Sequence, residues 1–71
     1  DVFVLELKVD DTVENALRQI DDKSYAIQWS ADGRRVTKCG VRIDSERRNI
    51  THWRLVDEKN QTIEEKTFTG Q

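Results

Sequence analysis

The chain has one cysteine, one histidine, three glycines and no methionine or proline. A lone cysteine, Cys39, excludes a disulfide within the chain and a zinc site built from thiolates. Because it lies in an apolar stretch, we predict a buried, unreactive thiol. The lone histidine, His52, has no cysteine, second histidine or acid at metal-ligand spacing, and no Ser–His–Asp arrangement can be assembled around it. The glycines, Gly33, Gly40 and Gly70, form no phosphate-binding loop.

Long hydrophobic runs are also missing. No apolar stretch approaches the ~20 residues of a membrane-spanning helix, and the sequence has no signal peptide. With 35% hydrophobic and 37% charged residues, a chain of 71 residues has few side chains with which to build a core. The first residue is not methionine, so we expect one small domain, residues 1–71, that is a fragment of a larger one. A cytoplasmic protein of bacterial type fits these features best, with the remainder of the parent chain completing the core.

An excess of positive charge is the third absence. The net charge of −2 argues against a protein that binds nucleic acid over its whole surface. Residues 34–54 nevertheless carry seven lysines or arginines and only two acids. These basic side chains belong either to solvated strand edges and turns or to a nucleic-acid contact. For such a contact, Arg47 and Arg48 are the candidates.

The longest run of strand-forming residues spans 2–9. Alternate side chains of a strand point to opposite faces. One face therefore carries Phe3, Leu5, Leu7 and Val9, and the other carries Val2, Val4, Glu6 and Lys8. The charged pair is costly in an apolar strand unless it has partners or a use.

The next segment has helical periodicity. We predict a helix from about Thr12 to Lys23, with a capping box formed by Asp11 and Glu14. Residues 24–29 are predicted to continue it or to add a short second turn of helix. The apolar stripe of the predicted helix consists of Val13, Ala16, Leu17 and Ile20.

The second half of the chain reads as strands. We predict a strand over 36–43, parallel to the first because a helix separates the two, and a hairpin over 49–57 and 62–68. Gly40 leaves room for close approach by a neighbour, such as the helix. The predicted fold class is α/β (α+β): a β-α-β unit followed by a β-hairpin, in a mixed sheet with one main helix.

Glu6 and Lys8 are the residues that suggest chemistry. A carboxylate at Glu6 and the backbone carbonyl of Leu7 offer the oxygen ligands that Mg²⁺ prefers. The ammonium of Lys8 can hold a water or offset charge on a phosphate oxygen. A second acid is needed for a strong metal site, and the alternative is a simple Glu–Lys pair on a strand surface.

Four phrases in a fixed order resemble the second half of the PD-(D/E)XK nuclease superfamily core. More closely, they resemble the nuclease-like domain at the C-terminus of bacterial AAA-ATPase-like proteins. The phrases are Phe3-Val4-Leu5-Glu6-Leu7-Lys8, Asn15-Ala16-Leu17-Arg18-Gln19-Ile20, Lys23-Ser24-Tyr25-Ala26, and Asp44-Ser45-Glu46-Arg47-Arg48-Asn49-Ile50 followed by Trp53. The resemblance implies a partial restriction-endonuclease-like core.

The resemblance also implies roles for individual residues. Glu6 corresponds to the metal-binding acid of the motif, Lys8 to its lysine, and Gln19 and Tyr25 to a glutamine and a tyrosine that some branches place near the active site. It implies a Mg²⁺-dependent phosphodiester hydrolase acting on DNA or RNA. The upstream metal-binding Asp has no counterpart here, so we expect the fragment itself to be inactive, and the resemblance does not decide whether it is an enzyme.

Two other functions compete with the nuclease. One is a non-enzymatic module that keeps the nuclease-like fold and contacts nucleic acid or protein through its basic stretch. The other is a small α/β domain in which Glu6 and Lys8 neutralise each other. An exposed sheet edge would in any case favour self-association of the chain.

Overall fold

The strand and helix patterns of the sequence appear in a computed structural model that describes residues 2–23 and 35–68. The elements in chain order are β1 (Val2–Val9), α1 (Val13–Asp22), β2 (Val36–Asp44), β3 (Asn49–Asp57) and β4 (Thr62–Thr67). All five were predicted, with bounds that differ by only a residue or two. The predicted continuation of the helix over residues 24–29 lies outside the described residues.

The four strands form one mixed sheet in the order β1-β2-β3-β4. β1 and β2 are parallel and are joined through α1, which confirms the predicted β-α-β unit. β2 pairs with β3, and β3 with β4, in antiparallel fashion, which confirms the hairpin. The predicted fold class is therefore confirmed. No helix in the described part of the chain is long and apolar enough to cross a membrane.

The start of α1 differs from the prediction by one residue. The N-cap is Thr12, whose extended backbone lets its hydroxyl accept a hydrogen bond from the backbone N–H of Asn15 at 3.1 Å. Asp11 instead accepts from the backbone N–H of Thr12 and from the side-chain amide of Asn15, each at 2.7 Å. The predicted capping box of Asp11 and Glu14 is therefore wrong. Two capping residue types are adjacent in the sequence, and the second one takes the position.

The core lies between α1 and one face of the sheet. The helix lies close against Gly40 on β2, since a methyl group there would lie 2.9 Å from the backbone oxygen of Val13. It would also lie 3.1 Å from Leu17 Cγ and 3.2 Å from Ala16 Cβ. The predicted close approach at Gly40 is thus confirmed, and the helix is the neighbour. Around this contact the buried apolar side chains are Val13, Ala16, Leu17, Ile20, Val36 and Val56.

The two faces of β1 differ in their surroundings. On the face that the helix covers, the side chains of Glu6 and Lys8 are half-buried. On the opposite face the four large apolar side chains are between 52% and 62% exposed: Phe3, Leu5, Leu7 and Val9. Cys39, opposite Leu5 on β2, is buried, as predicted. Burial also raises the pKa of its thiol.

The contact at Gly40 predicts a specific loss of stability. We expect Gly40→Ala to lower the free energy of unfolding by roughly 1–3 kcal/mol, because backbone and core atoms of α1 must shift to admit the methyl group. Urea unfolding followed by circular dichroism measures the change. Glu64→Ala on the exposed strand β4 is the control and should stay within about 0.5 kcal/mol of the parent. A Gly40→Ala variant as stable as the control would contradict the packing.

Candidate functional site

Glu6 and Lys8 lie on the same face of β1, as the strand alternation predicts. Glu6 is opposite Gly40 on β2, and Lys8 is opposite Arg42. β1 is the first strand in the sheet order, so among the described residues it has a neighbour on one side only. The two side chains therefore sit between the helix and an open sheet edge.

The ion pair that the structure gives Glu6 is with Lys23, at the C-cap of α1. The Lys23 ammonium lies 3.6 Å from Oε1 of Glu6, whose side chain is 21% exposed. The backbone N–H of Lys23 donates to the carbonyl of Gln19 at 3.2 Å, which fixes the residue to the last turn of the helix. Sequence reasoning did not assign Lys23 a role. No local pattern pairs the two residues, because they lie 17 positions apart in the sequence.

Gln19 occupies the same flank of the helix as Lys23. Residues four apart on a helix are neighbours, and Lys23 reaches β1, so Gln19 also lies on the β1 flank of α1. It is half-buried. Helical spacing thus puts Gln19 on the side of the molecule where Lys23 meets Glu6. Tyr25, to which the resemblance also gives a role, lies outside the described residues.

The backbone carbonyl of Leu7 points to the open edge of β1. The backbone N–H of Val2 donates to the carbonyl of Arg35, just before β2. The backbone N–H of Asp10 donates to the carbonyl of Ile43 in β2. In a parallel strand, alternate residues direct both backbone groups to the same neighbour. Leu7 is an odd number of positions from both Val2 and Asp10, so its carbonyl is directed away from β2. It remains free of the described sheet.

The donors fit part of a magnesium site and not all of one. One carboxylate from Glu6 and one carbonyl from Leu7 are oxygen ligands of the kind that Mg²⁺ takes. Within residues 2–23 and 35–68, however, no group of three His, Cys, Asp or Glu side chains converges. The described residues therefore bring together only part of such a ligand set.

The two acids that follow β1 are engaged elsewhere. Asp10 accepts hydrogen bonds from the Ser45 hydroxyl at 2.5 Å and from the Ser45 backbone N–H at 3.0 Å, which lower the pKa of its carboxyl. Asp11 holds the start of α1, and the hydrogen bond from Asn15 is the main cause of its lowered pKa. Both carboxylates thus fix local structure next to the candidate site.

Arg47 and Arg48 lie in the exposed turn between β2 and β3. Asp44 orders this turn, because its side chain accepts the backbone N–H of Arg47 and its carbonyl accepts that of Arg48. The hydrogen bonds between Asp10 and Ser45 bring the turn beside the C-terminal end of β1. The two candidate nucleic-acid contacts therefore share the end of the sheet to which β1 runs.

A buried lysine that sequence reasoning missed ties the helix to the hairpin. Lys38 on β2 is only 1% exposed. Its ammonium donates to Asp21 at 2.8 Å and to the side chain of Asn60 at 2.7 Å. Asn60, in the turn between β3 and β4, donates its amide to Asp21 at 3.0 Å. We call Lys38, Asp21 and Asn60 the Lys38 clasp.

The other flank of α1 forms a shallow cleft with the hairpin. Its volume is about 320 Å³ and its lining residues are Glu14, Leu17, Arg18, Asp21, Arg54, Val56, Asn60 and Thr62. Arg54 spans one end, with its guanidinium 2.9 Å from Glu14 and 2.8 Å from Glu65. His52 adds a 2.6 Å contact to Glu65. Glu6 and Lys8 do not line this cleft.

Comparison with known proteins adds one result. A family model described as the PD-(D/E)XK nuclease superfamily matches residues 1–53. No curated protein and no solved structure gives a significant match. The matched region includes Glu6, Lys8, Gln19 and Lys23, whereas Asn60 and strand β4 lie beyond it.

The Glu65 contacts predict an acid-sensitive hairpin. Hydrogen bonds from Arg54 and His52 lower the pKa of Glu65 from its ordinary value of 4.5. A carboxyl with a lowered folded-state pKa contributes stability above its unfolded pKa, and this stability is lost as pH falls through the folded value. We therefore expect stability to fall with acid below about pH 4.5, less steeply in Glu65→Gln. Urea unfolding at several pH values measures this, with Glu64→Gln as the adjacent control. Identical pH profiles for both variants would refute the contribution.

Proposed function

Because the chain belongs to the PD-(D/E)XK nuclease superfamily, we propose that it is part of a nuclease domain whose parent hydrolyses phosphodiester bonds in DNA or RNA with Mg²⁺. The family match over residues 1–53 carries this proposal. The β-α-β unit supports it, since it places Glu6 and Lys8 on the same face of β1 and brings Glu6 next to Lys23 at the end of α1.

We assign a separate role to each residue of the candidate site. Glu6 and the carbonyl of Leu7 provide oxygen ligands. A bound Mg²⁺ would polarise a phosphoryl oxygen and lower the pKa of a coordinated water. Lys8, two residues along the same face, supplies a positive charge that offsets negative charge on the phosphate. Gln19, on the β1 flank of the helix, orients water or substrate by hydrogen bonding.

Asp10 and Asp11 are engaged by Ser45 and Asn15, so Glu6 is the one carboxylate we assign to the metal, and we propose that the second comes from the remainder of the parent chain. The chain alone is then inactive. A bacterial, cytoplasmic parent related to AAA-ATPase-like proteins is what the sequence leads us to expect. The open edge of β1 also makes self-association of the isolated chain an expected outcome.

A cleavage assay tests the enzymatic proposal. The longest natural polypeptide that contains this sequence is incubated with labelled DNA and RNA, with Mg²⁺ or with a chelator. We expect Glu6→Gln and Lys8→Met each to lower the rate by roughly 10²–10³-fold, because each removes a group that stabilises charge at the reacting phosphate.

The controls for this assay are Glu46→Gln and Lys59→Met, which change the same residue types in exposed turns. Both should cleave at the parent rate. Equal cleavage by all variants, or cleavage that the chelator leaves unchanged, would contradict the enzymatic proposal.

A second function has one supporting observation. Arg47 and Arg48 are presented to solvent on an ordered turn beside the end of β1. We propose as the alternative that the chain is a non-enzymatic module that contacts nucleic acid through this turn. In that case the nuclease-like fold serves as a scaffold, and Glu6 is not required.

Salt dependence tests the alternative. Replacing Arg47 and Arg48 together by Gln should weaken DNA binding and reduce the salt slope by about two, because two phosphate contacts are lost. Fluorescence anisotropy over a range of NaCl concentrations measures both. Glu6→Gln is the control and should bind as the parent does. No binding at low salt, or a slope unchanged in the double variant, would eliminate this function.

A further inference from the structure

We propose that Lys23 is the counter-ion that positions the Glu6 carboxylate, and that the Lys38 clasp holds the last turn of α1 so that Lys23 can reach it. The use made of Glu6 rests on the proposed nuclease function. The contact and its dependence on the clasp do not. The Glu-x-Lys motif formed by Glu6 and Lys8 includes neither Lys23 nor Lys38.

The neighbouring residues of β2 offer Glu6 no partner. Its cross-strand neighbour on β2 is Gly40, which has no side chain. The cations on either side of Gly40 are committed elsewhere, since Lys38 donates to Asp21 and Arg42 donates to Thr51 at 2.8 Å. The ammonium of Lys23, at the end of the helix, lies 3.6 Å from the carboxylate of Glu6.

The position of Lys23 depends on the end of the helix. Asp21 and Lys23 are two residues apart, and each residue advances a helix by about 100°, so they project to opposite flanks. Asp21 is held on the hairpin flank by Lys38 and Asn60. Lys23 projects toward β1. Fixing Asp21 therefore fixes the rotation of the last turn, and with it the direction of Lys23.

The turn of the hairpin supplies Asn60, the third member of the Lys38 clasp. Asn60 has a positive φ of 66°, which turns its side chain in a tight bend toward the buried ammonium. It also lies outside the region that the family model matches, residues 1–53. The turn of the hairpin therefore contacts the end of α1 from a part of the chain that the family model does not match.

A double-mutant cycle on the full chain tests the proposal. Glu6→Gln, Lys23→Met and the double variant are unfolded in urea at low salt, first alone and then in an Asn60→Gly background. Glycine keeps the positive φ and removes the side chain that completes the clasp. We expect coupling between Glu6 and Lys23 of about 1.5–5-fold in the unfolding constant. The coupling should fall to about one in the Asn60→Gly background.

Three further variants sharpen the cycle. Lys23→Arg should retain the coupling because it keeps the charge, and Lys59→Met, on the same turn as Asn60, should leave it unchanged. Lys38→Met breaks the clasp from the other side and should also remove the coupling. If Lys38→Met does not fold, Asn60→Gly decides alone. No coupling in the parent, or coupling that survives the broken clasp, would overturn the proposal.

Binding of Mn²⁺, followed by broadening of the Glu6 and Leu7 amide signals, separates this inference from the proposed function. Lys23→Met should bind Mn²⁺ about 2–5-fold more tightly at low salt, because an ammonium no longer opposes the metal ion. A purely structural role would not tighten binding. Coupling without Mn²⁺ binding in any variant would support the Lys23 assignment and show that Glu6 and Leu7 do not hold a metal ion in this chain alone. Mn²⁺ binding without coupling between Glu6 and Lys23 would support the metal role of Glu6 and contradict the Lys23 assignment.

Discussion

The close approach of α1 to Gly40 determines the rest of this structure. Backbone atoms of a helix can come this close to a strand only where the strand residue lacks a Cβ, and Gly40 provides that place at the centre of β2. The contact decides which face of the sheet the helix covers. Because alternate strand residues share a face, it also decides that Glu6 and Lys8 lie on the covered side.

This choice of face places polar groups under the helix and requires partners for them. Burying a charge without a partner is unfavourable. Lys38 is therefore matched by Asp21 and Asn60, and Glu6 by Lys23. The two pairings hold opposite flanks of the same helical turn. The hairpin, the helix end and the candidate site are in this way parts of one polar arrangement around a small apolar core.

The sequence was sufficient for features that depend on local pattern. The alternation in residues 2–9 and the stripe of α1 predicted the elements and their parallel pairing, and Gly40 indicated the close helix contact. The N-cap was missed by one residue because Asp11 and Thr12 are both capping types. Lys23 and Lys38 were missed for a different reason. Their partners lie 17 residues away in each case, and spacing along the chain carries no information about such contacts.

The central claim is that α1 covers the face of β1 that bears Glu6, and proton–proton contacts in solution test it most directly. Nuclear Overhauser effects measured on the uniformly labelled chain report pairs of protons closer than about 5 Å. We expect contacts from the Ala16 methyl to the Gly40 α-protons and from the Lys23 side chain to that of Glu6. Contacts from Ala16 to Leu5 or Leu7 instead would place the helix on the opposite face and contradict the account.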